Sequence, residues 1–188
     1  ISMSDDYASI CGITEEELRS YFDAEVEVFA KKQHVDKDTM YEMLKQKYDG
    51  YHFSSNSDDI YNPFSLLNAL SDQQLGNYWF ATGTPTYLVT ILSRSNVDMP
   101  EFEGDLLANG EMLAAFGNGE SNLIAAMYQS GYLTIKGSSK SFYELGFPNE
   151  EVSDSLTQVL VPNYVASQTS DRKDLDLIKL RQFIETDN

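Results

Sequence analysis

The stretch LIAAMYQSGYLTIKGSSKSFYELGFPNEEV, Leu123 to Val152, decides how the second half of this chain folds. Leu123, Ile124 and Met127 recur at helical spacing from Glu120 on, and Gly131 is placed to stop that helix. Tyr132-Leu133-Thr134-Ile135 and Phe142-Tyr143-Glu144-Leu145 have the β-branched and aromatic composition of strands, with Gly137-Ser138-Ser139 as the turn between them. Pro148-Asn149-Glu150-Glu151 opens a further helix expected to run to Leu160 and to be ended by Pro162. Helix, strand, turn, strand, helix is the order of the second half of a winged-helix module.

Immediately upstream, Pro100, Gly104, Gly110, Gly117 and Gly119 interrupt every period, so residues 96–119 are expected to hold a strand near 101–107 and little else. Toward the N-terminus the signals sharpen. Thr14-Glu15-Glu16-Glu17 is a capping box, and Leu18, Tyr21, Phe22, Val26 and Phe29 continue it as a helix over 15–32. Asp36 opens a second helix over 37–47 with Met40, Tyr41 and Leu44 on its apolar face, ended by Asp49-Gly50. These two helices are expected to form a hairpin. Tyr51-His52-Phe53 and Asp59-Ile60-Tyr61 read as two brief strands around the polar loop Ser54 to Asp58. Asn62-Pro63 then caps a helix whose buried stripe is Phe64, Leu66, Leu67 and Leu70.

The segment NYWFATGTPT, Asn77 to Thr86, places three aromatics before a second cap-and-proline pair, Thr84-Pro85. That pair starts a helix carrying Tyr87, Leu88, Ile91 and Leu92, and the aromatic run predicts Trp79 largely buried at a joint between the two halves. Beyond Pro162, Ser167 to Asp174 has linker composition, and Leu175, Ile178, Leu180, Phe183 and Ile184 form a last short helix. There is no internal repeat. The expected fold is mainly helical α+β: an N-terminal helical bundle with a small strand pair over 1–95, a winged-helix-like half over 96–165, and a linker with a short helix over 166–188.

The 188 residues, 41% hydrophobic and 12% aromatic, form a globular composition. With 13 Lys and Arg against 30 Asp and Glu, the net charge of −17 repels phosphate backbones and anionic membranes. Arg94 is the one basic residue between Tyr48 and Ile135, so the helix before the strands lacks the cations that a groove-reading helix needs, and no nucleic acid is expected on this chain alone. Cys11 is the sole cysteine, which fits a reducing compartment and the role of a small apolar filler. No apolar run approaches the ~18 residues that span a bilayer, and a cytoplasmic location with no membrane partner is expected. The chain does not begin with Met, which fits an internal fragment and equally a removed tag.

Chemistry-bearing patterns are absent from the sequence. No GxxxxGK[ST] loop occurs, and TGTPT has one glycine, no lysine and a proline where an anion needs an amide. Cys11, His34 and His52 are too scattered for a zinc site or a nucleophilic triad, so no catalytic and no metal-binding residue is expected. The acidic pairs Asp58-Asp59 and Glu150-Glu151 are accounted for by loop solvation and by helix N-terminal charge. Arg94, in the last turn of the helix begun by Thr84-Pro85, complements that helix's dipole; the sharper alternative makes it a nucleotide-facing residue.

The strings YDGYHF, IYNPFSLLNAL, NYWFATGTPTYL, YQSGYLTIK and YELGFPNEEV, with GICGITEEELRSYF before them, resemble in order and spacing the predicted AAA-ATPase-like family of bacterial proteins, over Tyr7 to Tyr164. The resemblance implies a P-loop ATPase with a C-terminal nuclease-like domain of the PD-(D/E)XK type, in which this chain matches the part after the nucleotide-binding core. It implies that residues 1–95 are lid-like, that ATP and magnesium belong to the intact protein rather than to this fragment, and that the partners are the P-loop core and the nuclease-like domain. No catalytic residue of the family maps onto this chain. The alternative is a protein-interaction module using an aromatic surface.

Overall fold

The structure, a computed structural model, describes residues 9–52, 54, 57–81, 106–114 and 123–167. Arg94, the helix begun by Thr84-Pro85, residues 101–105 of the expected strand, most of the expected linker and the last short helix lie outside the described residues.

Helix α1 (Glu15–Tyr21) starts on the capping box: the Thr14 hydroxyl accepts the Glu17 amide at 3.2 Å, and Glu17 accepts the Thr14 amide at 2.9 Å. The single helix expected over 15–32 is two. It breaks at Phe22, and α2 (Asp23–Gln33) begins with Asp23 and Glu25 in its first turn. The apolar spacing runs across Phe22 unbroken because both helices present their stripes to one core; periodicity reports the buried face and not the continuity of the axis. His34 closes α2 in the left-handed region. Asp36 caps α3 (Lys37–Tyr48), accepting the Thr39 amide at 2.9 Å, and Asn62 caps α4 (Pro63–Asp72), accepting the amides of Phe64 and Ser65. The aromatic run itself forms one turn of helix, α5 (Tyr78–Ala81).

The expected strand pair shrinks to isolated bridges and gains a member. Tyr51 pairs with Ile60, and Ile13, not foreseen as extended, pairs with Tyr61. Cys11 is exposed and fills no gap; a Cβ on the adjacent Gly12 would lie 2.2 Å from Ile60, which already occupies the space beneath this turn.

The second half contains β1 (Leu106–Ala108), α6 (Gly110–Ala114), α7 (Leu123–Gln129), β2 (Thr134–Ser139), β3 (Phe142–Gly146) and α8 (Glu150–Ser167). Its antiparallel sheet has the order β1-β3-β2, with Leu106 opposite Leu145 and Ser139 opposite Phe142. Gly137-Ser138-Ser139, expected as the turn, belongs to β2, and the chain reverses at Lys140, which adopts a positive φ of 56°. The pairing slips between Ile135 and Gly137, leaving Lys136 as the extra residue. Helix α6 departs from the expectation that Gly110 interrupts the period: Asn109 caps it at the Met112 amide. Helix α8 passes through Pro162 instead of stopping there. A proline deletes a single backbone donor, and a long helix bonded on both sides of that gap continues past it.

The chain is thus a mainly helical α+β protein with two hydrophobic cores. Leu18, Phe29, Met40, Tyr41, Leu44, Tyr48, Tyr61 and Leu66 are among the residues that build the first. Met127, Leu133, Ile135, Leu145, Val152 and Leu156 are among those of the second, which also takes in Tyr51 and Ile60 from the N-terminal half. Consecutive residues Ile60 and Tyr61 therefore face opposite cores, as the period of an extended chain requires.

The seam between the cores as candidate functional site

The segment Tyr48 to His52 lies along the line where the cores meet. Tyr48 closes α3, and its hydroxyl both donates to the Gly76 carbonyl and accepts the Gly76 amide, each at 2.9 Å, tying the end of α3 to the approach to α5. Asp49 follows as C-cap, and Gly50 takes a φ of 95°. A Cβ at Gly50 would sit 2.1 Å from the Pro148 carbonyl oxygen, so two backbones touch here and glycine is required on both counts. Opposite, Asn149 does double duty: its Oδ1 caps α8 at the Val152 amide, while its Nδ2 donates to the Asp49 carbonyl at 2.9 Å. Lys136, placed by the irregularity in β2, donates to the Pro148 carbonyl at 3.0 Å. His52 exchanges two hydrogen bonds with Thr134, its amide donating to the hydroxyl and its carbonyl accepting from it. The His52 ring pairs with Asp59 at 3.0 Å, and Lys47 pairs with Asp154 at 2.5 Å.

The same line holds the aromatic run. Glu151, fully buried in the first turn of α8, accepts the Trp79 amide at 2.9 Å, so a carboxylate distant in sequence acts as the N-terminal cap of α5. The Trp79 ring meets Tyr132 at 5.0 Å between centroids with the planes tilted by 59°, and its Cζ2 lies 3.6 Å from where a Gly131 Cβ would be. Tyr78 packs on the first core and Trp79 on the second. The expected joint is therefore where the sequence placed it, but Trp79, on a helix of a single turn, is only partly buried.

Electrostatically the seam is costly. Asp49 is 4% exposed, its Oδ1 has no hydrogen-bond partner among the described residues, and burial pushes its carboxyl up to about 6. Glu151 is raised too, first by burial, against the lowering effects of Ser65, the Trp79 amide and Lys47, and its Oε2 is likewise without a partner among the described residues. The reading of Glu150-Glu151 as simple helix-end charge is corrected for the second of the pair. Residue type and position predict a surface carboxylate at a helix start, and only the third dimension brings α5 against it.

Among the described residues there is no group of His, Cys, Asp and Glu that could hold a metal ion. His34 is a helix C-cap, remote in role from His52 at the seam. No helix among the described residues is long and apolar enough to cross a membrane.

What the fold and seam define is a two-core α+β protein whose halves are joined by polar clamps. The chain is 33% identical over 174 residues to an uncharacterized protein in the vnfD 5' region of Azotobacter chroococcum mcd 1, a match covering 90% of this chain. This chain spans 31% of that relative's length. No family model matches it, and no solved structure matches it.

Proposed function

We propose that this chain is a non-catalytic accessory region of a P-loop ATPase, lid-like in its first half and winged-helix-like in its second, which packs on a nucleotide-binding core and couples it to an effector domain. One observation carries the reading. The strings that resemble the AAA-ATPase-like family are the ones that meet at the seam: YDGYH against PNEE, NYW against both YQSGYL and Glu151, and IY between the cores. Residues that hold two units in register suit an element that transmits position. The greater length of the Azotobacter relative is in keeping with a role inside a larger protein. ATP and magnesium, a cytoplasmic location, and the P-loop and nuclease-like partners belong to this proposal, as does Arg94 as a nucleotide-facing residue.

Calorimetry of this chain with ATP and magnesium tests the non-catalytic part. The chain lacks the lysine and the glycine-rich amide nest that supply most triphosphate affinity, so no binding heat is expected; a micromolar Kd contradicts the proposal. In the intact protein, Arg94→Ala is expected to slow ATP hydrolysis, and unchanged turnover would return Arg94 to its helix-capping role.

A further inference from the structure

We propose that α1 and α2 form a two-position switch: bent at Phe22 with Leu18 seated in the first core, as in this structure, and straight, as one continuous helix from Glu15 to Gln33. The local sequence favours the straight form. Residues 15–33 hold neither glycine nor proline, the capping box stands at their start, and Leu18, Phe22, Val26 and Phe29 keep helical spacing through the break. The break is one residue wide. Phe22 sits at φ −124° and ψ 12°, its amide still donates to the Leu18 carbonyl at 3.0 Å, and its carbonyl still accepts the Val26 amide at 3.0 Å. Between those two bonds the amides of Asp23 and Glu25 do not reach the carbonyls of Arg19 and Tyr21. Helix α2 has no capping side chain to take their place, in contrast to Thr14 on α1, Asp36 on α3 and Asn62 on α4. Turning Phe22 to helical angles brings these donors and acceptors together.

The bend is held by contacts that α1 and the turn before it make with other elements. Leu18 is fully buried in the first core, Ile13 pairs with Tyr61, and the Gly12 turn packs on Ile60. The Tyr61 hydroxyl donates to Glu15 at 2.5 Å, and the Arg19 guanidinium lies 4.0 Å from the centre of the Tyr41 ring. Helix α2 is anchored separately at its first residue, where Asp23 accepts the Tyr41 hydroxyl at 2.9 Å and pairs with Lys37 at 2.9 Å. Tyr41 thus serves both arms, its ring meeting α1 and its hydroxyl meeting α2. Helix α1 is the moving arm and α2 the fixed one. The Arg19–Glu15 pair, at 2.6 Å, lies within α1 and travels with it. Straightening withdraws Leu18 from its seat, so a partner that binds the vacated seat or the lengthened helix selects the straight position. The switch is a property of these two helices and does not rest on the ATPase reading.

NMR of the whole chain is the test, with backbone carbon shifts and amide exchange read from residue 15 to residue 33. Leu18→Gln removes the side chain that seats α1 and keeps a good helix former in its place. In that variant the Phe22 shifts are expected to become helical, residues 15–21 to stay helical, and the Asp23 and Glu25 amides to exchange roughly tenfold more slowly than in the parent. Arg19→Gln, which removes only the cation over Tyr41, is expected to move the Phe22 shifts part of the way in the same direction, and it decides the matter alone if Leu18→Gln does not fold. Loss of helical shifts over residues 15–21 in Leu18→Gln overturns the proposal, because α1 is then a docked helix and not one arm of a longer one. So do Phe22 shifts that stay at the parent values in the variants that fold, because the bend is then local to that residue.

Discussion

Replacing Asp49 with asparagine is expected to stabilise this protein at neutral pH, although it removes a residue from the centre of the seam. The carboxyl rises from 3.8 to about 6 on folding because burial disfavours its charge. At about 1.4 kcal/mol per unit, holding it ionised in the folded state costs about 3 kcal/mol at pH 7. Asparagine has the same shape without the charge, but its amide must settle where Oδ1 lacks a partner among the described residues, an offset of about 1 kcal/mol or more. A net gain of about 1 to 2 kcal/mol follows. The sign fixes the pH dependence: a carboxyl whose folded value is raised contributes its stability in full below 3.8 and loses it as pH rises through about 6. The gain of Asp49→Asn over the parent is therefore absent near pH 3.5, grows between pH 4 and pH 6, and is level above that. Urea unfolding followed by circular dichroism across this range measures it. A variant less stable than the parent at pH 7, or a difference that does not change with pH, refutes the burial argument.

Gly50→Ala places a methyl group 2.1 Å from the Pro148 carbonyl oxygen at a φ of 95°, and is expected to cost about 3 kcal/mol or more in the same assay. Glu151→Ala leaves the Trp79 amide without its carboxylate partner and opens a hole at a fully buried position, at about 2 to 4 kcal/mol. Glu151→Gln, by contrast, is expected to lie within about 1 kcal/mol of the parent, because Oε1 is kept and a buried charge is lost. Thr14→Ala removes one side of an exposed capping box and costs about 1 kcal/mol.

The parts of this fold that the sequence discloses are those settled within one turn of chain. Thr14 with Glu17, Asp36 with Thr39, and Asn62 before Pro63 each mark a helix start because cap and amide lie within three residues. The strands around Lys140 are legible for the same reason, since a hairpin is local. The break at Phe22 is hidden, because its apolar stripe continues through it. The seam is hidden more deeply. Nothing in Glu150-Glu151 says which of the two is buried, and nothing near Trp79 announces a capping carboxylate, because that bond joins residues far apart in the chain. Gly50 and Gly131 were the available signals. Both mark helix ends, and Gly50 is also a place where another backbone approaches too closely for a side chain, whereas Gly131 takes a φ of 82° with the Trp79 ring at ordinary contact distance.

The claim that the aromatic run anchors the N-terminal half on the second core is tested most directly by a double-mutant cycle on Trp79 and Tyr132, whose rings meet at 5.0 Å. Trp79→Ala alone is expected to cost about 2 to 3 kcal/mol, below the range for a fully buried tryptophan because the ring is partly exposed. Tyr132→Ala removes a buried ring from the second core and is expected to cost more, about 3 to 5 kcal/mol. The account predicts that the double variant loses less than the two single losses combined, with a coupling of about 0.5 to 1.5 kcal/mol. Losses that add within error would mean that Trp79 does not pack on the second core, and would leave the run free to serve as a binding surface.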